Sequence, residues 1–326
     1  MSFPLLFHLW FLGFCFISSL ARGATIPEDE VKVMKEIAET LGKKDWDFSV
    51  DPCSGQRNWS VEVKGFENAV TCNCHFANAT ICHVVSIVLK SQNLSGTLPS
   101  ELVRLPYLQE IDLSRNYLNG TIPAQWGFMK LVNISILGNR VAGPIPKELG
   151  NIITLKSLVL EFNQLSGELP PELGNLHQLE RLHLTSNYFI GNLPTTFARL
   201  TTLKQIRLGD NQFSGTLPDF IQRWTSLERL VMQGSGFSGP IPYGISFLNN
   251  LTDLRISDLK GPDSQFPQLK NLTILQTLIL RSCNLIGMVP EYLGNVTSLR
   301  SLDLSFNKLT GPIPKTLGGL NDINLL

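Results

Sequence analysis

Charge of one sign is what this sequence lacks. Its 27 Lys and Arg are matched by 27 Asp and Glu over 326 residues, so it offers neither the cationic surface that nucleic acid or an anionic membrane attracts nor an acidic tail. Histidine is scarce, with five in all. His177 and His183 stand without a Ser or Cys nucleophile in an elbow motif, which removes the usual nucleophile and base pairing. The letters Gly234-Ser-Gly236-Phe-Ser-Gly239 spell a dinucleotide fingerprint, but neither a helix nor an acidic partner follows. No catalytic, metal or cofactor site is expected. After the N-terminus, no apolar stretch approaches the roughly 20 residues of a membrane span.

What is present is one pattern, Leu-x-x-Leu-x-Leu-x-x-Asn-x-Leu-x-Gly-x-Ile-Pro, repeated ten times over 84–322 at a period of 24 residues with one step of 23. A further start at Ile323-Asn-Leu-Leu326 would open an eleventh copy. A period of this length and content is that of a leucine-rich-repeat solenoid, an α/β repeat fold in which stacked copies bury what a single copy cannot. In Leu179-Glu-Arg-Leu182-His-Leu184, Leu182 and Leu184 alternate into the core while Arg181, His183 and Thr185 face outward, as on a strand. Stacking predicts a parallel, concave β-sheet about 45 Å long at a strand spacing of about 4.8 Å. The Asn of each copy (Asn116, Asn139, Asn163, Asn187, Asn211 and Asn307) can satisfy turn backbone that would otherwise be buried unpaired. Glycines at one fixed offset, from Gly120 to Gly311, predict a tight bend there.

Gln92, Ser235 and Cys283 occupy the Asn slot in three copies, all small or polar enough to join the same ladder. The eighth copy puts Leu259 there and replaces the usual bend with Lys260 to Pro267, which predicts a protruding loop.

Two segments precede the repeats. Phe3 to Leu20 is almost wholly apolar, and small Ala21 and Gly23 stand at cleavage spacing, so residues 1–23 read as a secretory signal. Residues 24–83 read as an N-terminal cap. Pro27-Glu-Asp-Glu opens a helix, Val31, Met34, Ala38 and Leu41 give it an apolar stripe that would cover the first repeat, and Gly42 stops it. Trp46 and Trp59 are assigned to the core of the cap. Cys53, Cys72, Cys74 and Cys82 form an even cluster that in an exported protein reads as two disulfides rather than zinc ligands. Four cysteines allow three pairings; the sequence-local one joins Cys53 to Cys72 and Cys74 to Cys82. Export also fits eight N-glycosylation sequons, at Asn58, Asn78, Asn93, Asn119, Asn133, Asn250, Asn271 and Asn295. Asn133 would project from the concave sheet, so a glycan there would leave later copies for binding.

Asp51-Pro52-Cys53, a Trp, Val70-Thr71-Cys72 and repeats ending Leu-Ser-Gly-Thr-Leu-Pro or Leu-Thr-Gly-Pro-Ile-Pro resemble the extracellular part of plant leucine-rich-repeat receptor-like serine/threonine kinases. Asn73-Cys74, Ile256-Ser-Asp-Leu-Lys and Asp303-Leu-Ser-Phe-Asn-Lys-Leu-Thr-Gly-Pro-Ile-Pro particularly resemble the group in which a malectin-like domain, a membrane span and a kinase follow. The resemblance implies a right-handed superhelix with a second short sheet from the Gly-x-Ile-Pro segments. It implies a cell-surface role in immunity, development or wall sensing, outside the cell or at the plasma membrane. A Gly-rich loop, strand Lys and His-Arg-Asp loop are missing, so no kinase is expected within these residues.

Outward strand positions nominate a binding surface: Glu161, Phe162, Arg181, His183, Gln205, Arg207, Asp210, Arg229, Gln233, Asp253, Arg255 and Arg281. Five arginines in this set form a stripe suited to carboxylates or to stacking, unless Asp210, Asp253 and Asp258 neutralise them in solvated pairs. Expected partners are an extracellular peptide, a protein or a cell-wall oligosaccharide, and another leucine-rich-repeat receptor kinase. Peptide-binding members of the group often carry an Arg-x-Arg pair in one late repeat, which no copy here has. The other reading is a secreted inhibitor of microbial wall-degrading enzymes, resembling the polygalacturonase-inhibiting proteins, or a decoy receptor.

Overall fold

The computed structural model describes residues 24–55, 59–61, 63–77, 79–320 and 323. The signal reading, the sequons at Asn58 and Asn78, and residues 324–326 of the eleventh copy lie outside the described residues. Ten parallel strands, one per copy from Ile81–Leu89 to Ser301–Asp303, stack in sequence order into one sheet. The cap extends it by two antiparallel strands, Asn68–Phe76 and Ser60–Val61. The seam drawn between residues 83 and 84 falls inside Ile81–Leu89, a strand that closes the cap hairpin and opens the repeat stack.

Each strand alternates as its sequence dictates, and its inward leucines form one continuous core; Leu182, Leu184, Leu230 and Leu254 are fully enclosed. On the opposite side every turn but that of the eighth copy passes through a short 3-10 helix that starts directly after a proline, such as Pro171–Asn175 after Pro170. Proline is suited to that position because its fixed φ enters the helix and its missing N–H is not required there. The Gly-x-Ile-Pro segments pair into a second layer, in a group of four short strands and a group of three. Only single bridges, Thr216 to Ser238 and Ser238 to Lys260, join the two groups.

The asparagines form the ladder. Asn187 Nδ2 donates to the carbonyls of Leu160 and Leu184, and its Oδ1 accepts from the backbone N–H of Leu165 one copy back. Asn163, Asn211 and Asn307 repeat this arrangement. Cys283 substitutes in part, its thiol lying 3.4 Å from the Ile256 carbonyl. Burial, then the nearby Asp258 charge, pushes that thiol up to about 12.

Two expectations at the Asn slot need correction. Ser235 is fully buried and its hydroxyl has no partner among the described residues. Its backbone carbonyl instead accepts the Phe213 N–H at 3.0 Å, doing the work of the missing side-chain oxygen. This draws the chain inward between Gly234 and Gly236, both at positive φ, and a Cβ on Gly236 would sit 2.4 Å from the Phe213 carbonyl oxygen. The Gln92 amide reaches the Lys90 carbonyl of the ladder but also the cap, at Phe66 O, while its Oε1 accepts from Lys43.

The eighth copy does not protrude along the whole of 260–267. Residues 260–263 are exposed, but Ser264–Gln265 pairs in the second layer, and Phe266 and Pro267 are buried. The copy has no 3-10 turn; Tyr292 from the next copy fills in, accepting from Leu269 N–H and donating to the Pro267 carbonyl.

The cap forms largely as its sequence indicates. Its helix, Glu28–Leu41, begins after Pro27 and ends at left-handed Gly42. The buried stripe is Val33, Met34, Ile37, Ala38 and Leu41; Val31 is only half-buried. Trp46 and Trp59 pack with ring centroids 5.0 Å apart, and the disulfides join Cys53 to Cys72 and Cys74 to Cys82.

Asn187→Ala strips the Leu165 N–H of its acceptor and leaves the Leu160 and Leu184 carbonyls with only the Asn163 and Asn211 amides as side-chain donors, so chemical denaturation should show a loss of about 1–3 kcal/mol. Gly236→Ala, which meets a backbone oxygen and an unfavourable φ, should lose at least about 2 kcal/mol by the same measurement.

Candidate ligand-binding face

The outward side chains of the third to eighth copies enclose a shallow hollow of about 370 Å³, lined by Leu137, Glu161, Phe162, Thr185, Arg207, Arg229, Val231, Gln233, Asp253 and Arg255. Strand register explains the set. His183, Arg207, Val231 and Arg255 lie level on neighbouring strands, and Arg229 and Asp253 form the row two residues earlier. Seven of the twelve nominated residues therefore meet in one place, although Glu161 and Phe162 are far from Arg255 in sequence.

The five others fall outside it. Arg181 is exposed at a strand start and Gln205 is half-buried beside it. His183 is buried next to Glu161, its Nδ1 3.5 Å from Oε2. Asp210 accepts from the Ser186 hydroxyl, and Arg281 lies 4.4 Å above the Phe306 ring. The arginine stripe is thus broken up, with Arg281 over a ring and Arg181 exposed apart from the hollow. Leu137, Thr185 and Val231 were not nominated. The same alternation places them outward, as the sequence shows for Thr185.

Two buried carboxylates form the floor. Glu161 and Asp253 are each 5% exposed. Arg207 Nη1 is 3.8 Å from Glu161, while Asp253 receives Arg229 Nε at 3.0 Å and Arg255 Nε at 2.7 Å. The Arg255 contact is a hydrogen bond; the Arg229 contact is an ion pair whose N–H is not aligned for one. Burial alone would raise the Glu161 carboxyl, but its hydrogen bond to His183 and the charges of His183 and Arg207 hold it below the usual carboxylate value. Neutralisation by Asp253 is therefore real and incomplete: two guanidinium groups share one carboxylate.

Among the sequons, Asn93, Asn119, Asn250, Asn271 and Asn295 are exposed, whereas Asn133 is half-buried on the concave sheet between Glu110 and Ser157. Among the described residues no cluster of His, Cys, Asp and Glu could hold a metal ion, and no helix is long and apolar enough to cross a membrane.

Family models described as Leucine-rich repeat region and Leucine Rich Repeat match residues 139–260 and residues 107–129 and 298–320, together about half of the chain. The chain belongs to the leucine-rich-repeat family. It is 54% identical over 274 residues to a probable LRR receptor-like serine/threonine-protein kinase of Arabidopsis thaliana, covering 82% of this chain and 26% of the relative. A second such Arabidopsis kinase is 56% identical over 165 residues, covering 48% of this chain and 16% of the relative. The leucine-rich-repeat chain thus spans about a quarter or less of these curated relatives. Among solved structures, the crystal structure of PEPR1-AtPEP1 superposes with a TM-score of 0.74 at 27% identity, covering 92% of this chain and 44% of the other.

Because the Glu161 carboxyl titrates lower in the fold than the ordinary carboxylate value of 4.5, the stability it contributes is complete above about pH 4.5 and is lost as pH falls through the lowered value. Glu161→Gln should therefore flatten the decline in stability on that acid side, measured by denaturant unfolding at a series of pH values.

Proposed function

We propose that this leucine-rich-repeat protein is the extracellular ligand-recognition region of a plant cell-surface receptor-like serine/threonine kinase. The observation that carries the reading is the hollow itself: apolar, cationic and acidic side chains from six successive copies converge on one face of a rigid sheet. Rigid scaffolds that present variable side chains in this manner suit recognition. The relatives support the setting, being named as receptor-like kinases. A structural neighbour at 29% identity and TM-score 0.65, covering 76% of this chain and 43% of its own, is titled a plant peptide hormone receptor, RGFR1, in complex with RGF2.

A peptide or protein ligand, with a second leucine-rich-repeat receptor kinase as a partner, fits this reading, in line with that neighbour's title. A glycan on Asn133 would stand on the strand two before Arg181–His183, bounding the ligand at the third copy, whose Leu137 is the earliest residue lining the hollow.

The test is equilibrium binding of secreted-peptide pools and wall oligosaccharides to the secreted protein and to Arg207→Ala/Arg229→Ala. Ligand recognised on this face should lose about tenfold or more in affinity. Equal binding by both proteins would move the site off the concave face.

A further inference from the structure

The hollow has two unlike ends. At its cationic end, Arg229 and Arg255 both direct Nε at the single Asp253 carboxylate, which leaves one positive charge uncompensated and terminal N–H groups unspent on that carboxylate. Arg207, by contrast, shares Glu161 with no second arginine, only with the buried imidazole of His183. An anion is therefore drawn to the Arg229 and Arg255 pair rather than to the middle of the hollow, and the guanidinium fork is suited to a carboxylate.

At the other end stand Phe162 and Leu137. Phe162 is 56% exposed and holds φ at 56°, a left-handed conformation that costs a bulky residue about 1 kcal/mol or more. Phe306 occupies the equivalent place in the tenth copy, also at positive φ, and there Arg281 from the copy before covers the ring at 4.4 Å. The residue equivalent to Arg281 beside Phe162 is Leu137, which gives an apolar ledge instead of a cation. Among the described residues, no ring or cation packs on Phe162.

The ends are offset diagonally. Phe162 lies beyond the level row of His183 and Arg207 at the late end of its turn, whereas Arg229 begins its strand three strands on. At about 4.8 Å between strands and about 3.3 Å per residue along them, the separation is on the order of 20 Å, or about six residues of extended chain.

Resting on the proposed peptide-recognition role, we infer that the hollow takes an extended peptide that crosses the strands obliquely. It carries an aromatic or large aliphatic residue seated on Phe162 and Leu137 and a carboxylate about six residues away on Arg229 and Arg255. The fixed separation acts as a ruler for ligand choice.

The probes are synthetic peptides with both termini blocked, each with one Phe and one Asp separated by Gly-Ser spacers of about two to ten residues. Binding to the secreted protein is measured by calorimetry or fluorescence anisotropy. Affinity should peak near six intervening residues, about tenfold above the shortest and longest spacers. Phe162→Asn, which suits the left-handed turn, and Arg229→Gln/Arg255→Gln should each lower the peak by about fivefold or more and flatten the spacing dependence.

Binding that ignores spacing but falls in the arginine variant would overturn the ruler while leaving recognition on this face intact. Binding unchanged in both variants would overturn both, as the peptides would then sit elsewhere. No binding by any spacer, or capture of acidic wall oligosaccharides in place of the peptides, would also overturn the inference. In those cases the Arg207→Ala/Arg229→Ala comparison with natural ligands still decides the recognition role.

Discussion

The constraint on which the rest depends is the satisfaction of backbone polar groups inside the turns. A coil of about 24 residues per turn bends the chain sharply after every strand, and each bend points carbonyls and N–H groups at the core, where water cannot reach them. An unpaired group there costs about 1–3 kcal/mol. One amide side chain per copy meets both needs, donating to carbonyls of its own and the preceding strand region and accepting an N–H one copy back. Because two of these three bonds cross between copies, the ladder also fixes their spacing and therefore the regular stacking of the sheet. Ser235 shows the constraint from the other side: without an amide, the backbone moves in to supply the oxygen, and only flanking glycines permit that approach.

That rigidity is what makes a ligand-facing surface out of short side chains on short strands. Neighbouring outward residues are held in register, so charges several copies apart in sequence become a fixed array. The array is not a plain cationic stripe. Buried Glu161 and Asp253 draw the arginines down and orient them, which lowers the net field but leaves guanidinium edges in a defined direction. An orientation held by buried partners loses less entropy on ligand capture than a free arginine would.

Much of this was legible in the sequence because periodicity is a strong signal. The leucine spacing gave the strands and the core, and the helix in the cap followed from its stripe and its Gly stop, although the buried face includes Val33 and Ile37 rather than Val31. Compensations by distant residues were not legible. Tyr292 serving the turn at Leu269 and Pro267, and Phe266 returning to the core after an exposed 260–263, depend on neighbours in space that no local pattern reports. The same holds on the concave face, where alternation correctly placed the nominated side chains outward but could not show that His183 would be covered or that Leu137 and Val231 would wall the hollow.

The sequence by itself determined the repeat, its parallel sheet, the enclosed leucines and the positions at which a bend must occur, since each follows from hydrophobic periodicity and from the conformations open to Gly, Pro and Asn. It allowed three cysteine pairings, and spatial proximity in the folded cap selected one. Only the tertiary structure decided which arginines share Asp253 and which one pairs with Glu161. Coulomb interactions and burial depend on distances across strands, and those distances exist only once the coil has closed.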